Sequence, residues 1–284
     1  EQGLSANAIS LIAGTIKGGG LFVLSLRQLS RWLAQEDAEQ ARYLPWPLTV
    51  KNAKPYFKQY FLETLRLSAN LHIKLDQGQL PDKALSRLAH NNGQLSATLE
   101  QVNLINRVQS FARKSIHNKN HQLASSQLII AHRGRGKSTA LGMALAQLTN
   151  TNMAIRFAIT GPNKAALAQL ETSYHRALND KTRTPNPLFF SPDSLIHNPI
   201  TLDLLIVDEA AALPLPMLRA LFERYQQLIF SSTDHGYEGA GKGFTIKFTD
   251  FLKQVSQHHE NLTLNEPIRW AKGDKLEAFI DTLL

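Results

Sequence analysis

The chain has 284 residues, 43% of them hydrophobic, and its 31 Lys and Arg against 23 Asp and Glu give a formal net charge of +8. This length allows one large domain or two modest ones, and the hydrophobic content excludes disordered and collagen-like chains. The absence of cysteine excludes disulfide partners, thiolate metal sites and cysteine nucleophiles, and it is typical of a reducing compartment. We therefore expect a cytoplasmic protein.

Neither a membrane span nor a secretion signal is visible in the sequence. No apolar run approaches the roughly 18 residues that a membrane helix requires, and no charged start leads into an apolar stretch with a cleavage site. We therefore expect no membrane partner. The chain opens on Glu1 instead of methionine, as a fragment or a trimmed product would.

The excess positive charge is concentrated in one quarter of the chain. Residues 101–170 contain no Asp or Glu but hold these basic residues: Arg107, Arg113, Lys114, Lys119, Arg133, Arg135, Lys137, Arg156 and Lys164. The rest of the chain is nearly neutral. Such a block indicates a polyanionic partner, either a nucleotide or a nucleic acid, although a solvated basic face would have the same composition.

The first part of the chain predicts a small, partial α/β domain. The expected elements are a helix over 5–17 capped by Ser5, a buried strand at 21–26, an amphipathic helix over 56–68 and an alternating strand at 71–75. A polar, turn-prone stretch at Asn91-Asn92-Gly93 then predicts a boundary. It divides the chain into domains of residues 1–92 and 93–284.

Beyond this boundary the pattern predicts an α/β fold with a parallel sheet flanked by helices. Thr98 and Gln101 fit a capping box, in which two side chains satisfy free backbone N–H groups at a helix start. The polar stretch 115–127 predicts a loop. Short apolar runs then alternate with helical patterns, and strands are expected at 128–130, 154–159, 203–207 and 228–230.

The strongest motif is Ala131-His132-Arg133-Gly134-Arg135-Gly136-Lys137-Ser138. It lies between a predicted strand and a predicted helix, the context of a phosphate-binding loop. There, small residues let backbone N–H groups surround phosphate oxygens at the positive end of the helix. Lys137 would neutralise the β- and γ-phosphates, and Ser138 would ligate Mg²⁺. Alanine at 131, where the consensus has glycine, is compatible with the loop if its φ is negative.

A second motif supplies carboxylates. The segment 202–207, which is apolar except for Asp203, is followed by Asp208 and Glu209. A strand-terminal Asp beside a phosphate-binding loop holds Mg²⁺ through water, and we expect Glu209 to polarise the attacking water. Either motif alone is weak, but their order and spacing together predict nucleotide hydrolysis.

Three further features have competing interpretations. Ser231-Ser232-Thr233 end a predicted strand, where they would sense the γ-phosphate or simply form a turn. The segment 235–244, which contains four glycines, is a mobile loop that approaches a nucleic-acid backbone or base, or a plain surface loop. His117 and His121 have helical spacing but no acidic partners, so we predict no metal site there.

Several segments together show a resemblance. Arg133–Ser138, Ile206–Pro214, Gly236–Phe244 and Pro267–Ala271, in this order, closely resemble the bacterial tRNA(Met) cytidine acetyltransferases, strongly from about Thr98 onward and more weakly over 1–90. The resemblance implies a RecA-like, RNA-helicase-like P-loop ATPase module joined to a GNAT acetyltransferase domain. Such enzymes use ATP and acetyl-CoA to form N4-acetylcytidine at the wobble position of elongator tRNA(Met).

The resemblance also implies site residues. It assigns nucleotide contacts to Gly134, Arg135, Gly136, Lys137, Ser138 and Thr139, an adenine-side contact to Gln101, and stabilisation of phosphate charge to Arg269. The capping box competes for Gln101, and a surface salt bridge competes for Arg269. The metal ligands are expected to be Ser138 and Asp208.

The acetyl-transfer site is expected to lie outside this chain. The acetyl-CoA pyrophosphate loop, Gln/Arg-x-x-Gly-x-Gly/Ala, has no match in the sequence. Three functions therefore stay open: the ATP-hydrolysing module of a cytidine acetyltransferase, a free-standing RecD-like helicase or translocase, and a nucleotide-gated RNA-binding scaffold that does not hydrolyse ATP.

Overall fold

The computed structural model describes residues 3–16, 20–26, 29–68, 97–117, 124–151, 155–179, 188–233 and 240–283. The chain divides into two compact units, Glu1–Gln94 with Arg269–Leu284, and Leu95–Ile268. The sequence-based division assigned everything after residue 92 to one domain, whereas the final segment from Arg269 groups with the first unit. The reason is apolar packing, because Phe279, Ile280 and Leu283 are buried in the same cluster as Ile9 and Phe61.

The elements follow in chain order. The helices are α1 (Ala6–Ala13), α2 (Leu29–Ala34), α3 (Tyr56–Leu67), α4 (Leu99–His117), α5 (Lys137–Asn150), α6 (Ala168–Ala177), α7 (Pro192–His197), α8 (Leu215–Arg224), α9 (Ala240–Val255) and α10 (Lys275–Leu283). The strands are β1 (Ser125–Ala131), β2 (Phe157–Thr160), β3 (Leu204–Val207), β4 (Gln227–Thr233) and β5 (His259–Leu264). None of the described helices is long and apolar enough to cross a membrane.

The second unit is built on one parallel sheet. Its strand order is β2-β3-β4-β1-β5, and every neighbouring pair is parallel. Apolar residues of α4, α5 and α6 cover one face, and those of α7, α8 and α9 cover the other. This confirms the α/β, RecA-like fold, in which β4 is inserted between the strand before the phosphate-binding motif and the strand before the acidic pair.

The parts of this sheet that were not predicted from the sequence consist largely of polar residues. β1 begins at Ser125, inside the expected loop 115–127, and β5 was not predicted at all. Residues 125–127 and β5 lack a continuous apolar run, yet β1 and β5 pair in parallel from Ser126 onward. Polar side chains link the two strands: Ser126 Oγ lies 2.8 Å from His259 Nδ1, and Gln127 Nε2 donates to Glu260 Oε2 at 2.8 Å.

The first unit packs helices around a small apolar cluster. α1, α3 and α10 bury Ile9, Phe61 and Phe279 together, and the two phenylalanine rings meet edge to face at 5.8 Å. The expected strand at 21–26 is wrong, because this segment forms no strand and Val23 is 63% exposed. The strand expected at 71–75 lies outside the described residues.

The predicted glycine-rich loop is partly a helix. Residues 240–244 belong to α9, so the loop interpretation is wrong for them, and residues 235–239 lie outside the described part of the chain. The helix predictions near α1 and α3 are confirmed. Ser5 caps α1 by accepting a hydrogen bond from the N–H of Ala8.

Gly142 lets α5 approach α6 closely. A β-carbon at this position would lie 2.4 Å from the carbonyl oxygen of Leu170 and 2.8 Å from the backbone nitrogen of Tyr174. Both obstructing atoms belong to the backbone of α6, which cannot yield as the end of a side chain does. The glycine therefore sets the spacing of the two helices.

We expect Gly142→Ala to lower the free energy of unfolding by roughly 1–3 kcal/mol, the usual cost of overpacking. Urea denaturation followed by circular dichroism measures it. In an isolated helix, alanine is favoured over glycine by about 1 kcal/mol, so the two effects have opposite signs. A stabilised variant would show that the contact between α5 and α6 does not constrain the fold.

Candidate nucleotide-binding site

The sheet order brings three chain segments to one edge. β1 leads into the loop before α5, β3 leads into Asp208 and Glu209, and β4 ends at Thr233. Because β4 lies between β1 and β3 and all three are parallel, their carboxyl ends adjoin. This is the edge at which open α/β sheets bind ligands.

Glycine conformation shapes the loop before α5. Gly134 and Gly136 have φ values of 74° and 73°, and Gly136 is the N-cap of α5. Ala131 ends β1, and Glu209 is the one non-glycine residue with positive φ in the described part of the chain. The condition set for alanine at 131, a negative φ, is therefore met.

Two neighbours support the loop from outside. Gln101 Nε2 donates to the carbonyl oxygen of Gly136 at 3.1 Å. The backbone N–H of Ile268 donates to the carbonyl oxygen of Gly134 at 2.9 Å. A β-carbon on Gly136 would lie 2.4 Å from Gln101 Nε2 and 2.5 Å from Ile268 Cδ1. The loop is thus held on both sides. These side-chain ends can move, so the positive φ of Gly136 is what favours glycine at this position.

Gln101 also completes the predicted capping box. Its Oε1 accepts from the N–H of Thr98 at 3.1 Å, and its own N–H donates to Thr98 Oγ1 at 3.3 Å. The side chain is 3% exposed. The capping-box interpretation is therefore confirmed, and the adenine-side contact stays a prediction.

The charged groups converge at the start of α5. Ser138 Oγ donates to Asp208 Oδ2 at 2.7 Å, and Lys137 Nζ lies 3.1 Å from Glu209 Oε1 and 3.6 Å from Asp208 Oδ1. Asp208 is fully buried and Lys137 nearly so. Burial acts to lower the pKa of Lys137, but the charges of Asp208 and Glu209 outweigh it and raise this pKa above its ordinary value of 10.5. The lysine therefore remains an ammonium ion.

Glu209 is held in an uncommon conformation. Its φ of 51° and ψ of 45° are left-handed, and its N–H donates to Asp208 Oδ1 at 3.0 Å. Such a backbone costs about 1–3 kcal/mol in a non-glycine residue, and residues held in it cluster at functional sites. Thr233 Oγ1 donates to Glu209 Oε2 at 3.2 Å. The sequence placed Thr233 at this edge and left open whether it senses phosphate or forms a turn. Thr233 belongs to β4, so the turn is wrong, and the phosphate contact stays a prediction. The bond to Glu209 was not foreseen, because a sequence does not show which strand ends adjoin.

The oxygen donors fit Mg²⁺. A carboxylate and a hydroxyl lie side by side at Asp208 and Ser138, and Mg²⁺ is usually held by one or two carboxylates with water and substrate phosphates. Across the described ranges, no group of three or more His, Asp or Glu side chains could hold a metal. His121 lies outside those ranges. The donor set therefore suits a cation shared with phosphate.

The remaining predicted residues have other contacts. Arg135 is buried and donates to the carbonyl oxygen of Arg133 at 3.1 Å, and Thr139 Oγ1 accepts from Gln169 at 3.1 Å. Arg269 belongs to the first unit, where its guanidinium donates to the carbonyl oxygen of Gly14. Its role toward a nucleotide stays a prediction.

The basic block is only partly available to a polyanion. Arg107 forms an ion pair with Glu260 at 2.9 Å. Arg113 and Lys114 are exposed, and Lys119 lies outside the described residues.

Comparison with known proteins gives matches along the whole chain. The model of "RNA cytidine acetyltransferase NAT10/TcmA, helicase domain" matches residues 128–284, and that of "tRNA(Met) cytidine acetyltransferase TmcA, N-terminal" matches residues 1–74. The tRNA(Met) cytidine acetyltransferase TmcA of Nitrosococcus halophilus is 31% identical over 98% of this chain and 39% of its own length. The same enzyme of Yersinia pestis is 30% identical over 100% of this chain and 37% of its own length. The chain therefore spans about two-fifths of the length of these relatives.

Solved structures show only distant similarity. The large terminase of a thermophilic bacteriophage has a TM-score of 0.41 and 17% identity over 60% of this chain and 46% of its own. The Pif1 helicase of Candida albicans has a TM-score of 0.36 and 17% identity over 66% of this chain and 43% of its own. These values support no conclusion about function.

The family models together span both units, and the helicase-domain model alone matches more than half of the chain. The strand order and the convergence of Lys137, Ser138, Asp208 and Glu209 agree with that match. The chain therefore belongs to the family of the NAT10/TcmA RNA cytidine acetyltransferases, as their helicase domain with part of the TmcA N-terminal region.

Proposed function

We propose that the chain is the ATP-binding and ATP-hydrolysing module of a cytoplasmic tRNA(Met) cytidine acetyltransferase, which forms N4-acetylcytidine at the wobble position of elongator tRNA(Met). The observation that carries the proposal is the convergence of Lys137, Ser138, Asp208 and Glu209 at the carboxyl edge of the sheet. We assign acetyl transfer from acetyl-CoA to a GNAT domain of the whole protein, since this sequence lacks the acetyl-CoA loop.

Phosphate binding follows from the start of α5. Backbone N–H groups of the loop and the positive end of the helix favour an anion there. Lys137 adds a full positive charge, which Asp208 and Glu209 share in the structure. Phosphate oxygens compete with Glu209 for this ammonium. Mg²⁺, held by Ser138 and Asp208, would neutralise phosphate charge when bound.

Glu209 is the candidate general base. Its carboxylate is partly exposed, and Thr233 holds one of its oxygens by a hydrogen bond. Once Lys137 is engaged by phosphate, Glu209 keeps the bond to Thr233 and can accept the proton of a water that attacks the γ-phosphate. Hydrolysis of ATP would then drive RNA remodelling, so that the anticodon base reaches the acetyltransferase site.

Replacing Lys137 by Ala is expected to weaken ATP binding roughly 10- to 100-fold, because a charged hydrogen bond contributes about 1.5–3 kcal/mol. Isothermal titration calorimetry with ATP measures this affinity. Lys247→Ala is the matched control, since Lys247 is an exposed lysine on α9 and its loss should leave the affinity unchanged.

Removal of Lys137 also leaves the buried Asp208 without its cation, which destabilises a protein. Thermal unfolding is therefore recorded for each variant, and Lys137→Gln, whose amide can still donate to Asp208, is measured beside it. Unchanged ATP affinity in both folded variants would disprove the assignment of the phosphate-binding loop.

Glu209→Gln is expected to lower the ATPase turnover number roughly 10²- to 10⁴-fold, the usual contribution of a general base. ATP affinity should be retained, since the amide keeps the contact with Thr233 and the pair between Lys137 and Asp208 is untouched. Steady-state phosphate release gives the turnover number. Glu223→Gln, on the exposed side of α8, is the control. If Glu209→Gln hydrolyses ATP at the original rate, Glu209 is not the general base. If neither the parent chain nor the variant releases phosphate, the scaffold function gains support.

Elongator tRNA(Met) is expected to stimulate the ATPase more than other tRNAs or single-stranded DNA do. Phosphate release at saturating ATP, titrated with each nucleic acid, measures this preference. Equal stimulation by every single strand would instead indicate a free-standing helicase or translocase.

A further inference from the structure

The first unit carries a surface loop with its own internal structure. Gln40 Nε2 donates to the carbonyl oxygen of Lys54 at 3.3 Å and so closes the chain between them. Inside the loop, the N–H of Thr49 donates to Asn52 Oδ1 at 3.0 Å, and the N–H of Leu48 donates to the carbonyl oxygen of Pro45 at 2.9 Å. Compact loops with adjoining ends are frequently functional. Residues 40–56 are called the aromatic loop below.

Aromatic side chains of this loop lie in solvent. Trp46 is 93% exposed, Tyr43 72% and Tyr56 66%. A soluble protein normally buries most of such rings, because each removes a large apolar area from water. Tyr43 and Trp46 lie within the segment that the Gln40–Lys54 hydrogen bond closes, and Tyr56 follows it as the first residue of α3. Three exposed rings so close in the chain indicate a binding surface.

The charge of the loop selects the partner. Arg42, Lys51 and Lys54 are exposed, and no Asp or Glu occurs between residues 40 and 62. Lys58 does not contribute, because it is buried and its Nζ donates to the carbonyl oxygens of Trp32 and Gln35. The free surface thus combines aromatic faces with positive charge and favours a polyanion.

One further contact shows a guanidinium beside a ring. Arg42 lies 5.2 Å from the centroid of Tyr43 and also pairs with Glu39 at 3.1 Å. Flat aromatic rings interleaved with cations are the combination that binds unpaired nucleic acid, since bases stack on the rings while Lys and Arg neutralise the phosphates. A duplex does not offer its base faces to such a surface.

We propose that the aromatic loop binds unpaired nucleotides of RNA, with bases stacked on Trp46, Tyr43 and Tyr56 and phosphates at Arg42, Lys51 and Lys54. The proposal rests on the proposed function for the choice of RNA over DNA. It requires neither ATP nor the residues around Lys137, so the two can fail separately.

The test uses the full 284-residue chain and a fluorescein-labelled 15-nucleotide oligouridylate, whose bases are unstacked and free to bind. Fluorescence anisotropy should show binding that Trp46→Ala weakens roughly 5- to 150-fold, since stacking contributes about 1–3 kcal/mol per base. Trp46→Phe restores a ring and should recover most of the affinity. Leu67→Ala removes an apolar side chain that is 86% exposed but lies outside the loop, so it is the matched control.

The salt dependence identifies the phosphate contacts. Lys51→Gln together with Lys54→Gln should reduce the slope of log affinity against log salt by about 0.7 for each lost contact. An unlabelled RNA duplex of the same length should compete poorly, and a single-stranded DNA of the same sequence should compete less well than the RNA.

Two results would overturn the proposal. The first is an equal RNA affinity for the parent chain, Trp46→Ala and Leu67→Ala. The second is unchanged RNA affinity in Trp46→Ala together with loss of self-association in sedimentation, which would make the loop a protein contact. ATP affinity is measured in parallel and should not change in Trp46→Ala. If the RNA-binding proposal fails, the proposed ATP site is therefore unaffected.

Discussion

The buried carboxylate of Asp208 imposes the strongest constraint on the second unit. An ionised group without solvent costs several kcal/mol unless a cation and hydrogen bonds compensate it. Asp208 has both, from Lys137 and Ser138 in the first turn of α5. Since β4 separates β1 from β3 in the sheet, this pairing joins two segments that do not touch as strands, and it fixes the start of α5 over the sheet edge.

The grouping of the site residues could be predicted from the sequence because it depends on contiguous motifs. The residues from Gly134 to Ser138 and the pair Asp208–Glu209 are short, specific runs, and a parallel sheet brings strand ends to one edge. What supports these motifs is tertiary and carries no such signal. Ile268 holds the loop through its backbone N–H, and any residue except proline offers that group.

The sequence predicted the strands whose buried residues are apolar and missed strand residues that are polar. β3 has four wholly buried apolar residues, so its pattern is unmistakable. β5 is polar along most of its length and belongs to the sheet because it pairs with β1. Conversely, the apolar run 21–26 is largely exposed and has no strand partner in the described chain. An apolar run alone does not predict a strand, because a strand also needs a neighbour that supplies hydrogen bonds. Gln101 shows a different limit, since its amide oxygen completes the cap while its amide nitrogen binds the carbonyl oxygen of Gly136, a contact that the sequence did not indicate.

The close approach at Gly142 has an electrostatic consequence. With its middle turn against the backbone of α6, α5 cannot roll or slide without separating the two helices. The direction of its helix dipole is therefore fixed before any anion arrives. In water, dipoles must turn toward a new charge, and that reorganisation takes up much of the energy gained. Here the dipoles were oriented when the chain folded, so a phosphate bound as proposed would meet a field that already points at it.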